Sequence, residues 1–587
     1  ARYTITKDGF MVLASETGVL DFSAGDVLEK GALRPGEIIM VDLKKKRVIK
    51  NGETKISYAR KQPYRRWVEE NKIVLHGLFN DVAQASPDTD KFFRLQKLFG
   101  YTREDIRMII QPMSEKGYEP VGSMGADTPL AALSEKTQLL YRYFSQLFAQ
   151  ITNPAIDPIR EELVMSLMTF LGNPGNILQE TPQHSRLVKL RHPILSNEDF
   201  ERLLALNMKE FWATTLQIGF PAQNSGDKLE ESLDQLCRAA EASVTNGCAL
   251  LILSDRDLSS NLTPIPALLA VSAINQHLLA RGLRTDVGII VETVEAREVH
   301  HVALLLGFGA TAINPYFAFE IVADMAMRNV LERPLSTNKA IENYIKALCK
   351  GLLKIMSKMG ISTLRSYRGA QVFEAIGLNC DVIEKYFGGI SSRIEGIGLN
   401  EIAAEANARH SNTYNTEPHV PEKILSSGGN YAYRRDGERH LWTPETISKL
   451  QYATKLNDKK VYKEYAQLIN DQVKKNSTLR GMFKFKKTTP VPIDEVEPVS
   501  EIMKRFVTSA MSFGSISREA HETFAIAMNR IGAMSNSGEG GEDPSRYKLL
   551  PNGDNRCSAV KQVASGRFGV TAEFLVNAKE IQIKIAQ

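Results

Sequence analysis

The sequence predicts a multidomain α/β protein, and three observations carry that prediction. The chain has 587 residues, enough for about three to five domains at the usual domain size. Residues 248–320 alternate short apolar runs with helix-period segments, the grammar of a parallel sheet covered by helices. Residues 581–586 alternate Ile581, Ile583 and Ile585 with Gln582, Lys584 and Ala586, the period of a strand with two unlike faces.

Residues 1–58 read as β-rich. Phe10-Met11-Val12-Leu13-Ala14 and Glu37-Ile38-Ile39-Met40-Val41-Asp42 are strand-like runs near glycines. Lys44-Lys45-Lys46-Arg47 lies before Val48-Ile49, and Asn51-Gly52 follows; the expectation is strands joined by polar turns. The basic run is short and has no interleaved aromatics, so a solvated turn outweighs a nucleic-acid contact. From about 90 to 230 the pattern turns helical. Leu139/Leu140, Tyr143/Phe144 and Leu147/Phe148 recur four residues apart, which predicts a helix capped by Ser134 and stopped at Asn153-Pro154.

In the alternating region, strands are expected at Cys248–Leu253, Val287–Val291 and Ala310–Ile313, with helices through Leu268–Leu279 and Val299–Leu306. Ligands of such sheets sit at strand carboxyl ends, which points to Ser254, Asp255, Glu292 and Asn314; caps for the following helices fit these polar residues at least as well. A long helix is expected from about Asn338 to Met359, with Ile341, Ile345, Leu348, Leu352, Ile355 and Met359 on its apolar face and Gly360 at its end. Residues 476–500 shift to Lys, Thr and Pro and read as a connector.

Composition bounds the function class. Hydrophobic residues make up 43% and charged residues 24%, ordinary for a globular protein. No run of about 18 apolar residues predicts a membrane span, and no signal pattern opens the chain, so a cytoplasmic protein is expected. Five scattered cysteines without a CxxC pair argue against a disulfide scaffold or a zinc site. A net charge of +5, from 73 basic and 68 acidic residues, selects no partner. The chain opens on Ala1 and stops at Gln587 after a strand-like run; both ends are expected to be cuts, within a larger polypeptide.

Several motifs invite chemistry. Gly396-Ile397-Gly398 lacks the glycine at position 401 that a dinucleotide fingerprint needs, and a preceding strand is doubtful. His300-His301 are adjacent, so one helix face cannot offer both to a metal. Thr508–Ser515 is a small-residue run that opens a helix, with Ser517 as its cap, Glu519 in its first turn and Ala520, Phe524, Met528 and Ile531 along one face. Asn536–Pro544 is glycine-rich and acidic. Glu539, Glu542 and Asp543 would repel phosphate, so it is no phosphate cradle; a loop carrying a carboxylate into a site is weighed against a plain surface loop, which the residues alone favour. If 581–586 is a strand of a β/α barrel, its isoleucines pack against outer helices and Gln582 and Lys584 point inward. Lys584 then lies near the strand's carboxyl end, where barrel active sites form, and a lysine there calls for an anion or an electron-rich ring. An edge strand with an exposed lysine is the alternative.

At these motifs the chain resembles the large subunit of the glutamate synthase family over essentially its whole length. The matching stretches include Gly100-Tyr101-Thr102-Arg103-Glu104-Asp105, Glu119–Pro129, Gln150–Pro154, Asp157–Glu162, Ala510–Ser517, Gly538-Glu539-Gly540-Gly541-Glu542-Asp543 and Lys561–Val570. The resemblance implies the end of a class II glutamine amidotransferase (glutaminase) domain over 1–70, the family's central α/β domain over 71–375, and the first part of an FMN-binding (β/α)8 barrel over 376–587. It implies synthesis of L-glutamate from glutamine-derived ammonia and 2-oxoglutarate, with FMN reducing 2-iminoglutarate. Electrons would arrive through a 3Fe-4S cluster from ferredoxin or from a small subunit that oxidises reduced nicotinamide; an oligomer is expected. The family's glutaminase nucleophile is an amino-terminal cysteine, whereas residue 1 here is alanine. Only Cys380 and Cys557 lie in the synthase part, far apart and too few for the family's three closely spaced cysteines, so the cluster ligands are absent too. Residue by residue, Ala510, Met511 and Ser512 match the segment along the flavin ring, Gln562 a position near FMN, and Lys584 a lysine shared between FMN and 2-oxoglutarate. Glu539 matches a loop glutamate at the substrate site, with Glu542 as the other candidate to point inward. The alternative to an enzyme is a non-catalytic scaffold or interaction fragment of the same family.

Overall fold

The amino-terminal apolar runs form an antiparallel three-stranded sheet in the order Met11–Ala14, Arg2–Thr6, Val27–Ala32. Tyr3 faces Gly31 across that sheet, and a β-carbon at Gly31 would come within 2.3 Å of the tyrosine ring, so the glycine is there to let the ring lie on the backbone. A hairpin pairs Met40–Asp42 with Arg47–Ile49. Its turn is the basic run: Asp42 accepts from the backbone N–H groups of Lys44 and Lys45, and Lys46 takes a positive φ of 49°. Two expectations are corrected here. Only Met40–Asp42 of the 37–42 run is strand. Asn51-Gly52 is no turn but the start of a helix, Asn51–Ala59; the Asn51 side chain accepts from Ile38 N–H and Thr54 is buried, so contacts outside the dipeptide decide its conformation.

The computed structural model describes residues 1–73, 89–122, 125–147, 155–176, 178–206, 208–223, 225–414, 424–474, 478–564 and 568–585, and they fall into two units, Ala1–Phe483 and Lys484–Gln587. Among the described residues no helix is long and apolar enough to cross a membrane.

The core of the first unit is a four-stranded parallel sheet in the order Ala312–Asn314, Gly288–Glu292, Leu250–Ser254, Ala213–Gln217. Every residue of Leu250–Ser254 and Gly288–Glu292 is buried, as expected when helices cover both faces. The helices Ala267–Ala280 and Val299–Gly307 connect these strands. The long helix runs Thr337–Met359; Ser336 accepts from Lys339 N–H and Gly360 ends it with φ 67°. Its buried stripe centres on Tyr344, Ala347, Leu348, Gly351, Leu352 and Met356, rotated from the expected face, and Ile341, Ile345, Ile355 and Met359 lie at its margins. Gly351 explains the rotation: a β-carbon there would come within 2.4 Å of Val299, so this face meets the helix Val299–Gly307 at close range.

The helix expected from Ser134 to Asn153 does not form. Leu140–Tyr143 is one 3-10 turn and Phe144–Gln146 a strand antiparallel to Phe373–Leu378. Leu139, Leu140, Tyr141, Tyr143 and Phe144 are all buried. The spacing that mimics one helix face thus belongs to a segment buried at consecutive positions, with only Arg142 exposed, and strand pairing wins. Ser134 does not cap; its hydroxyl donates to Glu438. Phe148, Asn153 and Pro154 lie outside the described residues, as do the quoted positions 123–124, 150–152 and 565–567. His301 is a core residue and His300 is half-buried beside it: His301 stacks on Tyr141 at 4.2 Å and sits 3.0 Å from Glu298, while His300 Nε2 lies 3.1 Å from the Tyr141 carbonyl. A strand, Ser392–Ile397, does precede Gly398 and the helix Leu399–Tyr414, which removes the doubt about it. No dinucleotide site results, because Glu401 accepts from Gly398 N–H and puts a carboxylate where a phosphate would sit.

Residues 484–500 are exposed throughout, as a connector would be. Beyond them, parallel bridges join Val507 to Met534 and Asn536 to Val560, and Val560–Val563 pairs in parallel with Glu580–Ile583. The helices Arg518–Arg530 and Ala572–Val576 intervene. This is β/α grammar repeated, and closure into a barrel is not among the features described.

Candidate functional site

The carboxyl edge of the central sheet was the first candidate, and its side chains consume one another. The Ser254 hydroxyl donates to Glu292, whose other oxygen accepts from Arg256. Asp255 accepts from the Thr293 hydroxyl and from Val294 N–H. Asn314 donates to Leu195 O at 3.0 Å and to Asn197 Oδ1 at 2.9 Å. All four expected residues are at most 5% exposed, none of them caps a following helix, and of their side-chain oxygens Asn314 Oδ1 alone has no hydrogen-bond partner among the described residues. Burial pushes the Asp255 carboxyl well above the ordinary aspartate range, with Glu295 and Glu292 adding repulsion.

The second edge, at the ends of the parallel segments of Lys484–Gln587, is different. The strand Glu580–Ile583 turns Gln582 and Lys584 to one face and its isoleucines to the other. Ile581, Ile583 and Ile585 are 54%, 75% and 89% exposed, so the expected packing against outer helices is corrected: no helix covers them among the described residues. On the polar face, Gln582 Oε1 accepts from Asn536 Nδ2 at 2.9 Å and from Gln562 Nε2 at 2.8 Å, a row of amides from three adjacent segments. Next in line, Lys584 Nζ lies 2.8 Å from Glu539 Oε1.

Glu539 reaches Lys584 because of the loop that carries it. The Glu539 N–H donates to Ser512 Oγ at 3.3 Å, and Gly538 N–H donates to Asn536 Oδ1 at 2.9 Å. Gly538 has φ 64° and so close a neighbour that a β-carbon would sit 2.6 Å from Ser512 Oγ. Gly540 packs on the Phe513 backbone with the same tolerance. The glycines thus let the loop lie against Ala510–Phe513. The favoured reading of 536–544 as a plain surface loop is corrected, since Ser537, Glu539 and Glu542 are buried. Glu542 points the other way from Glu539, into an ion pair with Lys561 at 2.7 Å.

Of the sequence-predicted residues, Ser512, Glu539, Lys584 and Gln562 are therefore brought together, the first three through direct bonds and Gln562 through Gln582. Ala510 is exposed and Met511 half-buried beside them. The helix that follows is Arg518–Arg530, with Ser517 accepting from Ala520 N–H. Its buried face is His521 and Ala525, not the expected Phe524 and Ile531, which are 43% and 48% exposed. Asn536, His521, Arg546 and Lys561 were missed. The only signal for Lys561 was a charge inside the apolar strand pattern of Val560–Val563; the other three look like ordinary polar positions.

The residues suit the ring half of a flavin. Among the described residues Gln562 Oε1 and Gln582 Nε2 make no hydrogen bond, leaving one acceptor and one donor for a heteroaromatic edge. The glycine-lined backbone offers a flat approach, and Lys584, about a third exposed, offers a cation.

The comparisons with known proteins decide the family. Residues 94–379 match the glutamate synthase central domain, 440–587 the conserved region in glutamate synthase, and 1–67 the class-II glutamine amidotransferases. The chain belongs to the glutamate synthase family. It is 45% identical, over its whole length, to the glutamate synthase [NADPH] large chain of Bacillus subtilis strain 168, of which it covers 38%. It is 40% identical to the ferredoxin-dependent glutamate synthase of Pyropia yezoensis, covering 40% of it, and 40% identical to the glutamate synthase [NADH] of Schizosaccharomyces pombe, covering 28%. This glutamate synthase chain thus spans well under half the length of these relatives. A solved flavocytochrome b2 with sulfite bound is similar at a TM-score of 0.27 and 10% identity, over 57% of this chain and all of that one, too low to carry an argument.

Proposed function

We propose that this chain is part of an enzyme that makes L-glutamate from 2-oxoglutarate and glutamine-derived ammonia, and that its flavin site lies on the Ala510–Ser512, Gln562 and Lys584 face. The layout follows the family: amidotransferase end over 1–70, central domain over 71–375, first part of the FMN-binding barrel over 376–587. Electrons come from ferredoxin or from a subunit that oxidises reduced nicotinamide, by way of a 3Fe-4S cluster whose ligands lie outside these residues.

The observation that carries this reading is the Lys584–Glu539 pair at the end of an amide row, beside a glycine-lined backbone. Bound FMN would supply the hydride that reduces 2-iminoglutarate. Lys584 Nζ has three protons. One is spent on Glu539 Oε1, which leaves two for a substrate carboxylate or for the negative charge of a reduced ring, an electrostatic role that grows as water is excluded. Glu539 holds that ammonium in place and limits its sweep. Gln562 and Gln582 orient a ring edge through their uncommitted amide groups.

The test is K584M in the holoenzyme. Turnover of 2-oxoglutarate is expected to fall by about a hundredfold or more, the cost of removing a group that stabilises developing charge, while the glutamine-hydrolysing activity stays. Unchanged glutamate synthesis in K584M would overturn the assignment of Lys584.

A further inference from the structure

We infer that His521, held by Arg546, is a positioning residue that clamps the Met511 carbonyl and so fixes the backbone Ala510–Ser512; this rests on the flavin face proposed above.

The argument begins with a tautomer. His521 is 4% exposed, and its two ring nitrogens have unlike partners. Nδ1 lies 2.6 Å from Nη1 of Arg546. A guanidinium in a protein only donates, so Nδ1 must accept and carries no proton. The ring proton is therefore on Nε2, which lies 2.9 Å from the Met511 carbonyl oxygen and donates to it. The neutral imidazole is the only form that satisfies both partners, since a protonated ring would aim N–H at N–H. Burial and the neighbouring Arg546 both hold the His521 pKa below the ordinary histidine value, in agreement with that form. The Met511 carbonyl, the Glu542 carboxylate and the Ser537 backbone act in the opposite direction and raise it, without outweighing burial and Arg546.

Arg546 is itself immobilised. It is 2% exposed, its Nε and Nη2 donate to Arg556 O at 3.0 and 2.7 Å, and Glu542 Oε1 lies 3.6 Å from Nη2. Glu542 accepts from Ser558 N–H at 3.2 Å and pairs with Lys561. Lys561 is fully buried, 4.7 Å from the Phe574 ring centre and 5.3 Å from that of Tyr547. One buried network thus ties together the 510–513 backbone, the glycine loop through Glu542, and the strand Val560–Val563. Its end on the ligand side is a single carbonyl. A trans peptide carries its C=O and the next N–H on opposite edges, so gripping the Met511 carbonyl also sets the direction of the Ser512 N–H. Ser512 is the residue whose hydroxyl receives Glu539 N–H. The clamp therefore positions both the 510–512 face and the loop that aims Glu539 at Lys584.

The test compares H521Q and H521L in the holoenzyme. A glutamine amide can accept from Arg546 with its oxygen and donate to Met511 O with its nitrogen; leucine fills similar space and can do neither. Two readouts are taken: FMN affinity, from the quenching of free FMN fluorescence on rebinding to the deflavinated protein, and hydrogen–deuterium exchange of the 508–516 peptide. H521L is expected to weaken FMN binding by about tenfold, the scale of one lost hydrogen bond plus an unsatisfied buried carbonyl, and to speed exchange in 508–516. H521Q is expected to stay within about threefold of wild type on both. Equal losses in the two variants, or no change in either, would overturn the clamp. Faster exchange in H521L alone with unchanged FMN affinity would uphold the clamp and overturn the placement of the flavin on 510–512.

Discussion

The carboxyl edge of the central sheet carries Ser254, Asp255, Glu292 and Asn314, at most 5% exposed and bonded to neighbouring side chains or to backbone inside the fold. The carboxyl edge formed by Asn536, Gln562, Gln582 and Lys584 carries three amides and an ammonium instead, with Lys584 about a third exposed and, among the described residues, two amide groups uncommitted. Both edges end parallel strands, where ligands commonly bind. The difference teaches that polar residues at a strand end mark a site only when their hydrogen-bonding capacity exceeds what the fold consumes. In the central sheet Arg256 and Thr293 absorb the carboxylates. At the second edge the carboxylate that could neutralise everything, Glu542, is turned away onto Lys561, and Glu539 alone is left to Lys584.

The largest effect should come from undoing that diversion. K561M leaves Glu542 buried with a weaker set of partners, and breaking a buried pair from one side costs about 3–5 kcal/mol. The double variant K561M/E542M should recover most of the loss. Chemical denaturation of the variants checks this, and a K561M protein as stable as wild type would mean that the buried pair does not hold the loop. Next, G538A forces a side chain onto a backbone with φ 64° and into Ser512 Oγ. A cost of about 1–3 kcal/mol is expected, together with a weakened Glu539–Lys584 contact, seen as a rise in the Michaelis constant for 2-oxoglutarate.

Smaller effects separate the two edges by pH. His521 has a folded pKa below its unfolded value. Its contribution is complete above the ordinary histidine value of about 6.5 and is lost as pH falls below it, because the unfolded chain then binds the proton first. Asp255 has a folded pKa above its unfolded value. Its contribution is complete below about pH 4, the ordinary aspartate value, and is lost as pH rises toward the raised value. Hydrogen exchange across pH 4–8 should therefore show opposite slopes: opening of 508–530 on acidification, and opening of 250–294 on alkalinisation. H521Q should flatten the first slope and D255N the second. Parallel slopes would break the contrast. The smallest effect on stability is expected from K584M. Lys584 is about a third exposed although Glu539 is buried, so water can reach the pair and its loss should cost less than breaking the fully buried Lys561–Glu542 pair; a denaturation midpoint closer to wild type than that of K561M alongside lost synthesis would mark Lys584 as functional rather than structural.

Much of the fold was legible. Leu250–Ser254, Gly288–Glu292 and Ala312–Asn314 announce themselves as apolar runs because they are buried on both faces. Ser517 and Gly360 are read correctly because caps are local. Leu140–Gln146 was misread because its spacing suits one helix face while burial at consecutive positions and pairing with the remote strand Phe373–Leu378 set its conformation. Asn51-Gly52 was misread because its side-chain partner, Ile38, is remote in sequence. In the site, Lys584 stood out as a charge in an apolar alternation, and Glu539 through the family resemblance. His521 and Arg546 gave no signal, since their roles depend on a carbonyl ten residues away and a histidine 25 residues away.

By itself, then, the sequence determined the parallel α/β class, the helices with local caps, the two-faced strand at Glu580–Ile583 and the family. These follow from period, cap and composition, which act within a few residues. Only the tertiary structure decided which strand edge is closed and which is open, which of Glu539 and Glu542 meets Lys584, and which tautomer His521 holds. Each of those turns on whether a polar group finds its partner inside the fold, and such partners lie tens of residues apart.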